Sequence, residues 1–295
     1  MPAAWVDRSG AVVGVGRSCG TFGELLQGVL PDGRRFLVTL PLARYSTARF
    51  TPGGTGEVQV LPSHKEKSRQ VACRLLEHFG VTQGGLLSLD SELPEGKGLG
   101  SSSADMVASA LAVQAACGRS VSPHQLAEWM AQVVPSDGVM FPGVVSFYHQ
   151  QGRLRRILGT LPPLTIVGVD EGGTVDTVAF NRQGNRWPDP VRRTYEQLLL
   201  RMEQAVIDRD LQAVGDCATQ SAVLHQRVLP KANLDWFLEL RSRYGALGVV
   251  VAHSGTYIGL LMDPSEVDHD RRLSALTAEL SGRLPALRIE RTDPG

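Results

Sequence analysis

The stretch LPEGKGLGSSSADM, residues 93–106, combines a glycine-rich turn with the start of a helix-forming run. Three glycines and three serines fall within eight positions, with Lys97 among them. Glycine lets backbone N–H groups approach a ligand, and a helix N-terminus adds unpaired donors and a positive dipole end. Serine hydroxyls at 101–103 can bind phosphate or ligate Mg²⁺. The pattern predicts a site for a nucleoside triphosphate or another phosphorylated ligand; a capped helix after an ordinary turn is the simpler alternative.

Two common phosphate-binding motifs do not describe this loop. The Walker pattern G-x-x-x-x-G-K-[ST] fails because Lys97 precedes the last glycine and the serines. The segment GVGRSCG, residues 14–20, imitates a dinucleotide fingerprint, but no Rossmann-like βαβ pattern follows it. We therefore assign the phosphate site to residues 96–103 and not to the earlier glycines.

Length and composition indicate a globular protein without a dominant surface charge. The chain has 295 residues, enough for one large domain or two ordinary ones, and its 30 basic residues balance 30 acidic ones. We therefore expect no nucleic acid and no membrane as partner. The four cysteines form no C-x-x-C pair, and we see neither a signal peptide nor an apolar run of about 18 residues. These observations predict a cytoplasmic protein with reduced thiols.

The first half of the chain alternates short strands with helices. Strands are predicted in RRFLVTLPL, YSTARFTPGG, GEVQVLP and LLSLDSELP, and a helix in SRQVACRLLEHFG. After the glycine loop we predict a helix over 103–116 and a second in SPHQLAEWMAQVV, with Ser122 as N-cap and Pro123 at its first position. A hairpin follows in GVVSFYH and RLRRIL.

The second half begins after GTLPPL, residues 159–164. It is predicted to contain the strands TIVGVD and TVAF, two or three helices between 190 and 244, the strands ALGVVVAHSG and YIGLLMD, an amphipathic helix in PSEVDHDRRLSALTAELSG and a last strand in ALRIERT. We predict two α+β domains, 1–159 and 160–295.

The glycine loop also resembles the central motif of a known enzyme superfamily. PEGKGLGSSSA is similar to P-x-x-x-G-L-G-S-S-A of the GHMP kinases, which include galactokinase and the homoserine, mevalonate and phosphomevalonate kinases; Ser103 replaces an alanine. FGELLQG, residues 22–28, resembles their N-terminal segment, and AHSGTYIGLL, residues 252–261, resembles their third motif. Three ordered blocks over nearly the whole chain identify it as a member.

A narrower resemblance is to the L-threonine kinase of cobalamin biosynthesis and its relatives. SCGTFGELLQG is similar to their S-C-G-E-L-I-Q-G, with Thr21 and Phe22 inserted. GKGLGSSSAD is similar to their G-K-G-M-A-S-S-T-A-D, and PSDGVMFPG to their P-T-D-x-x-x-F-P-G. The resemblance implies an N-terminal domain like ribosomal S5 domain 2, a ferredoxin-like C-terminal domain and an active site between them.

The resemblance implies roles for particular residues. ATP would lie on Pro94, Gly96, Lys97, Gly98, Leu99, Gly100, Ser101, Ser102 and Ser103. Lys97 would assist catalysis, and Asp137 would accept the substrate proton or hold the transition-state charge, unless it only caps a turn. Ser102 would ligate Mg²⁺, and Glu128 would be a second metal ligand or a solvated helix residue.

The acceptor would lie against both halves of the chain. By family position its site would contain Ser18, Cys19, Thr21, Glu24, Asp137, Ser254, Gly255 and Thr256. Glu24 would pair with an ammonium group or serve as a buried structural carboxylate, while Gly255 and Thr256 would mainly shape the loop. Mevalonate-type enzymes have a lysine where this chain has Ser18, so Arg17 or another cation would substitute, or no such lysine is used.

The implied activity is an ATP- and Mg²⁺-dependent kinase for the hydroxyl of L-threonine or a similar hydroxy amino acid. A kinase for homoserine or for a sugar-like intermediate of a specialised pathway is the alternative within this chemistry. A catalytically silent sensor of ATP and a metabolite is the alternative outside it, although retention of Lys97, Ser102 and Asp137 favours an enzyme. A homodimer is left open.

Overall fold

Two long antiparallel strands, β2 (Val12–Val29) and β3 (Arg35–Pro52), form the centre of the fold. The computed structural model describes residues 3–6, 12–54, 56–175, 187–284 and 286–293. Sequence patterns predict two separate strands, RRFLVTLPL and YSTARFTPGG, in a region where the structure has the single continuous strand β3. The breaker Pro41 is tolerated because it lies opposite Thr21, beside irregularities in the β2 register, where a missing N–H costs no regular ladder hydrogen bond.

The remaining strands extend one sheet on both sides of this pair. They are β1 (Ala3–Val6), β4 (Val58–Leu61), β5 (Gly85–Ser91), β6 (Val144–Tyr148), β7 (Arg153–Gly159), β8 (Thr165–Asp170), β9 (Gly248–Val251), β10 (Tyr257–Met262) and β11 (Leu287–Arg291). The order is β11-β8-β10-β9-β2-β3-β5-β4; β1 pairs with β2, and β6 pairs with both β3 and β7. Every pairing is antiparallel except β4 with β5.

Seven helices lie within the described residues. They are α1 (Glu66–His78), α2 (Ser101–Cys117), α3 (Pro123–Val133), α4 (Asp189–Asp208), α5 (Leu211–His225), α6 (Leu234–Tyr244) and α7 (His269–Ser281). The predicted cap of α3 is confirmed, because Ser122 accepts a hydrogen bond from the backbone N–H of Gln125 and Pro123 follows it. None of these helices is long and apolar enough to cross a membrane.

The helix that follows the glycine loop lies unusually close to β2. A side chain at Gly14 would come within 2.0 Å of the carbonyl oxygen of Ala112, and one at Gly16 within 2.1 Å of that of Ala108. Small residues on both elements therefore let α2 pack directly on the strand backbone. This packing fixes the direction in which the N-terminus of α2 points.

The mixed α+β architecture is confirmed, and the two halves share one sheet. Glu24 of β2 pairs with Val251 of β9, so strands of both halves run side by side. A hydrophobic core including Phe22, Leu99 and Tyr257 also spans the halves. The boundary at residue 160, between β7 and β8, stays a prediction, and the predicted strand TVAF lies outside the described residues.

Candidate active site

The glycine loop turns sharply three times before α2 begins. Gly96, Gly98 and Gly100 have φ angles of +70°, +79° and +68°, a region where residues with a Cβ are strained. Gly100 is the N-cap of α2, and Ser101 is its first residue. The alternating glycines therefore bring the unpaired N–H groups of a helix N-terminus to the surface of the loop.

Backbone contacts from both halves hold this loop in place. The N–H groups of Thr21 and Gly23, freed by the irregular register of β2, donate to the carbonyls of Leu99 (3.1 Å) and Gly98 (3.0 Å). On the other side, Thr256 N–H donates to Lys97 O at 3.1 Å. The loop is thus clamped between β2 and the turn that connects β9 to β10.

A cleft of about 570 Å³ opens over the loop, a volume typical of small-molecule sites. Its lining contains ten predicted site residues: Glu24, Gly96, Gly98, Leu99, Gly100, Ser101, Ser102, Ser103, Asp137 and Ser254. It also contains His64, Lys65, Glu66, Lys67, Ser68, Glu95 and Asp105. Residues from both halves therefore face one cavity.

Asp137 lies directly against the loop. A carbon added at Gly100 would lie 3.2 Å from its Oδ2, and its backbone N–H donates to Ser103 Oγ at 3.1 Å. Burial raises the pKa of Asp137 to about 7, and the negative charge of Glu24 adds to the rise. A carboxylate with this pKa can take up a proton near neutral pH.

Glu24 belongs to a buried polar network beneath the cleft. Its Oε2 lies 2.9 Å from Nδ1 of His253, whose Nε2 lies 2.8 Å from Ser221 Oγ. Burial raises the pKa of Glu24 to about 7, against the backbone hydrogen bond from His253 and the positive charge of Lys231, which lower it. Burial lowers the pKa of His253 to about 3, so the imidazole is neutral and Glu24 gains no opposing charge from it.

Lys97 points away from the cleft. Its Nζ lies 2.7 Å from Asp170 Oδ2 and donates to the carbonyl of Gly173 at 2.7 Å, while Thr256 Oγ1 donates to Asp170 Oδ1 at 2.6 Å. Burial opposes ionisation of Asp170, but these hydrogen bonds outweigh it and lower its pKa. Lys97 and Thr256 therefore fasten the loop to the end of β8, outside the cavity lining.

Several other predicted residues also lie outside the lining. Ser18 is buried within β2, and Cys19 is a neighbour of Asp293, with its pKa raised to about 11 by burial. Glu128 is exposed because α3 turns Ala127 and Met130 inward. Pro94 and Gly255 are not part of the cavity lining, although Gly255 packs directly against Lys97 and Gly98 of the loop. Arg17 stacks on the ring of Tyr45, 3.5 Å from its centroid, and does not substitute for the missing lysine.

Sequence reasoning missed the basic residues at the start of α1. Lys65 Nζ lies 2.5 Å from Asp105 Oδ2 and 2.6 Å from Glu95 Oε1, and Ser46 donates to the other oxygen of Asp105 at 2.5 Å. Lys67 also lines the cleft. The signal in the sequence is the basic cluster HKEKS, residues 64–68, at the start of a helix. It does not indicate a ligand site by itself, because its position beside the glycine loop depends on the packing of α1 against α2.

The part of the chain that the structure describes contains no cluster of three or more His, Cys, Asp or Glu side chains suited to a metal. Mg²⁺ does not need one, because it commonly takes one or two protein oxygens, substrate phosphates and water. The hydroxyl of Ser102 lines the cleft beside the helix N-terminus and fits such a limited role. Glu128 does not.

Two protein-family models match the chain. The model described as GHMP kinases N terminal domain covers residues 66–141, and GHMP kinases C terminal covers residues 202–278. The L-threonine kinase of Citrobacter freundii is 29% identical over 257 residues, covering 84% of this chain and 86% of that protein. The L-threonine kinase of Salmonella typhimurium is 28% identical over 299 residues, covering 100% and 95%.

Solved structures share the fold at lower identity. A homoserine kinase from Cytophaga hutchinsonii has a TM-score of 0.73 at 14% identity, with 95% of each chain covered. The L. major mevalonate kinase in complex with R-mevalonate has a TM-score of 0.69 at 17% identity, covering 95% of this chain and 96% of that one. At these identities the likeness describes the fold alone.

Proposed function

The chain belongs to the GHMP kinases, and we propose that it transfers the γ-phosphoryl group of ATP to the hydroxyl of L-threonine or a similar hydroxy amino acid. ATP-dependent phosphorylation of an alcohol fits the kinase family models and both L-threonine kinases that resemble the chain. The choice of acceptor is supported by the two L-threonine kinases that resemble the chain over 84% and 100% of its length. A cytoplasmic location and a homodimer stay predictions.

The observation that carries the proposal is the position of Asp137 against Gly100, in the cleft that residues of both halves line. Phosphoryl transfer depends mainly on positioning and on neutralising phosphate charge. The loop and the N-terminus of α2 would hold the phosphates through backbone N–H groups. Asp137 would take the hydroxyl proton, as its raised pKa allows at neutral pH.

The two carboxylates Glu24 and Asp137 support an amino acid as acceptor. Both line the cleft, and each negative charge raises the free energy of the other. An ammonium group bound between them would relieve this repulsion, whereas a neutral sugar would not. The proposal therefore places the ammonium group of the acceptor near Glu24 and its hydroxyl near Asp137.

Mg²⁺ is proposed as the metal that accompanies ATP, with Ser102 as its protein ligand. When bound, it would neutralise phosphate charge and orient the β- and γ-phosphates. Lys97 is proposed to act indirectly, by holding the loop to Asp170, because its ammonium group is already paired there.

The test is ADP release with ATP and Mg²⁺ across L-threonine, L-serine, L-homoserine and D-galactose. We expect the highest kcat/KM with L-threonine and, because each cycle transfers one phosphoryl group, one phosphorylated acceptor per ADP. Asp137→Asn is the matched control and should bind ATP without this turnover. A clear preference for homoserine or galactose would refute the acceptor, and ATP binding without turnover of any compound would favour the sensor.

A further inference from the structure

Lysine is rare in this chain, and each of its four lysines lies in the cleft lining, in the glycine loop or against the turn that holds this loop. The sequence has four lysines against 26 arginines. Lys65 and Lys67 line the cleft, Lys97 lies in the glycine loop, and Lys231 donates a hydrogen bond to the carbonyl of Gly255. Arginine supplies the positive charge everywhere else. The chain therefore uses the compact ammonium group only where a small point charge meets the loop or the cavity.

Three of these lysines are already occupied. Lys65 is paired with Asp105 and Glu95, Lys97 with Asp170, and Lys231 with a backbone carbonyl. Lys67 has no hydrogen bond or ion pair to any residue that the structure describes, although it is only partly exposed. It is thus the lysine whose charge remains available to a ligand in the cleft.

The position of Lys67 is unfavourable without such a ligand. It is the second residue of α1, where the positive end of the helix dipole repels a cation. The N-terminus of α2 opens on the same cleft through Ser101–Ser103. Two helix N-termini and an unpaired ammonium group therefore face one cavity, and a multiply charged anion satisfies all three.

We propose that Lys67 is a catalytic residue that contacts the transferred γ-phosphoryl group across the cleft from Asp137. This role rests on the proposed function. It also supplies from α1 the free cation that Lys97 and Arg17 do not provide, since both are engaged elsewhere. Lys67 would act through its charge alone and exchange no proton with the substrate.

The reaction balances with Lys67 as a fixed charge. The acceptor oxygen forms a bond to the γ-phosphorus as the bond from that phosphorus to the bridging β,γ-oxygen breaks. The electron pair of the broken bond leaves on ADP, and the hydroxyl proton passes to the carboxylate of Asp137. Lys67 would neutralise charge on the oxygens of the phosphoryl group during this transfer.

The electrostatics of Asp137 agree with this placement. Burial and then Glu24 raise the pKa of Asp137, while Ser103 and the positive charge of Lys67 lower it. Glu24 in turn faces neutral His253 and the ammonium group of Lys231. Lys65, paired with Asp105 and Glu95, lines the same cleft. Lys67 is therefore close enough to Asp137 to affect its ionisation, although the two side chains come from different elements.

The test compares Lys67→Met with Lys67→Arg and with Arg69→Met. Arg69 lies on the same helix and is not part of the cavity lining, although its partner Glu66 is, so its loss removes the same charge without removing a cation from the cleft. For Lys67→Met we expect kcat to fall on the order of 10²-fold, the usual loss for one electrostatic contact to a transition state. The acid limb of the kcat/KM profile should shift to higher pH, because Asp137 loses a neighbouring cation. Lys67→Arg should restore part of the lost kcat and reverse part of the shift in the acid limb.

A second acceptor distinguishes a contact between Lys67 and the phosphoryl group from a contact between Lys67 and the carboxylate of the acceptor, which is the other anion in the reaction. L-Threoninol has the hydroxyl and ammonium groups of threonine but no carboxylate. If Lys67 contacts the phosphoryl group, the fold-loss in Lys67→Met is the same with threonine and threoninol. A loss that disappears with threoninol would assign Lys67 to the carboxylate and overturn the proposal.

Failure of this role is distinguishable from failure of the proposed function. A wild-type protein that phosphorylates none of the acceptors refutes the function, whereas an active wild type with an equally active Lys67→Met and an unshifted pH profile refutes only the role of Lys67. Thermal melting checks that the variants fold. As an independent measurement, acylation of wild-type lysines should modify Lys67 fastest and be blocked there by ATP and Mg²⁺; unprotected Lys67 would count against the proposal.

Discussion

Gly255→Ala tests whether the two halves of the site depend on direct backbone contact. The new methyl carbon would lie 2.1 Å from the carbonyl oxygen of Lys97 and 2.5 Å from Cα of Gly98. Ordinary contacts between carbon atoms need about 3.5–4.0 Å. Because both neighbours are backbone atoms, no side-chain rotation relieves the clash, and the turn and the loop must separate.

The expected cost has two parts. Inserting a methyl group into well-packed surroundings costs about 1–3 kcal/mol. The separation also breaks the hydrogen bond from Thr256 N–H to Lys97 O, which contributes about 1 kcal/mol. We therefore expect Gly255→Ala to lose about 2–4 kcal/mol of unfolding free energy, together with affinity for ATP, since the loop that would hold the phosphates is displaced.

Urea unfolding and calorimetric titration with ATP measure these two effects. Gly53→Ala is the matched control, because a methyl group there meets nothing within 4 Å, so its unfolding free energy should stay within about 0.5 kcal/mol of wild type. Wild-type stability and wild-type ATP affinity in Gly255→Ala would show that the loop does not depend on this contact.

Three further outcomes are expected. Asp137→Asn should lower kcat by on the order of 10² or more with ATP affinity retained, since only proton transfer is removed; steady-state kinetics that match wild type would contradict the assigned role. Glu24→Gln removes a negative charge that raises the pKa of Asp137, so the acid limb of kcat/KM should move to lower pH, and a limb that stays in place would exclude the coupling. Burial lowers the pKa of His149 to about 3, so unfolding takes up a proton below about pH 6.5 and the unfolding free energy falls on acidification. By pH 5 this loss is about 2 kcal/mol relative to pH 7.5, and it should be absent from urea titrations of His149→Gln.

Local signals in the sequence predicted the parts of the structure that depend on residues close together along the chain. The cap at Ser122, the glycine turns of residues 96–100 and most strands and helices follow from spacing and turn chemistry. The length of β2 was not predicted, because Gly14, Gly16 and Gly20 interrupt its apolar pattern. These glycines reflect the approach of α2 and Leu99, which only the tertiary structure shows.

Only part of the site was predicted, because some of its side chains are positioned by residues that lie far away in the sequence. The serines reach the cleft because they form the first turn of α2, and Asp137 reaches it because its backbone N–H donates to Ser103. Lys97 has a long side chain, and its direction depends on Asp170 in the other half of the chain. Lys67 comes to the cleft through the packing of α1 beside α2, a relationship that no motif in the sequence records.

The clamp on the glycine loop has a consequence for how the enzyme is made. Translation produces residues 96–100 well before Asp170 and the turn at Gly255 leave the ribosome, so the nascent loop lacks the contacts that hold one side of it. Activity would therefore arise late, when β10 joins the sheet, and not gradually as the chain lengthens. A chain that ends before β10 would therefore be inactive. An incomplete chain would also not hydrolyse ATP in the absence of an acceptor.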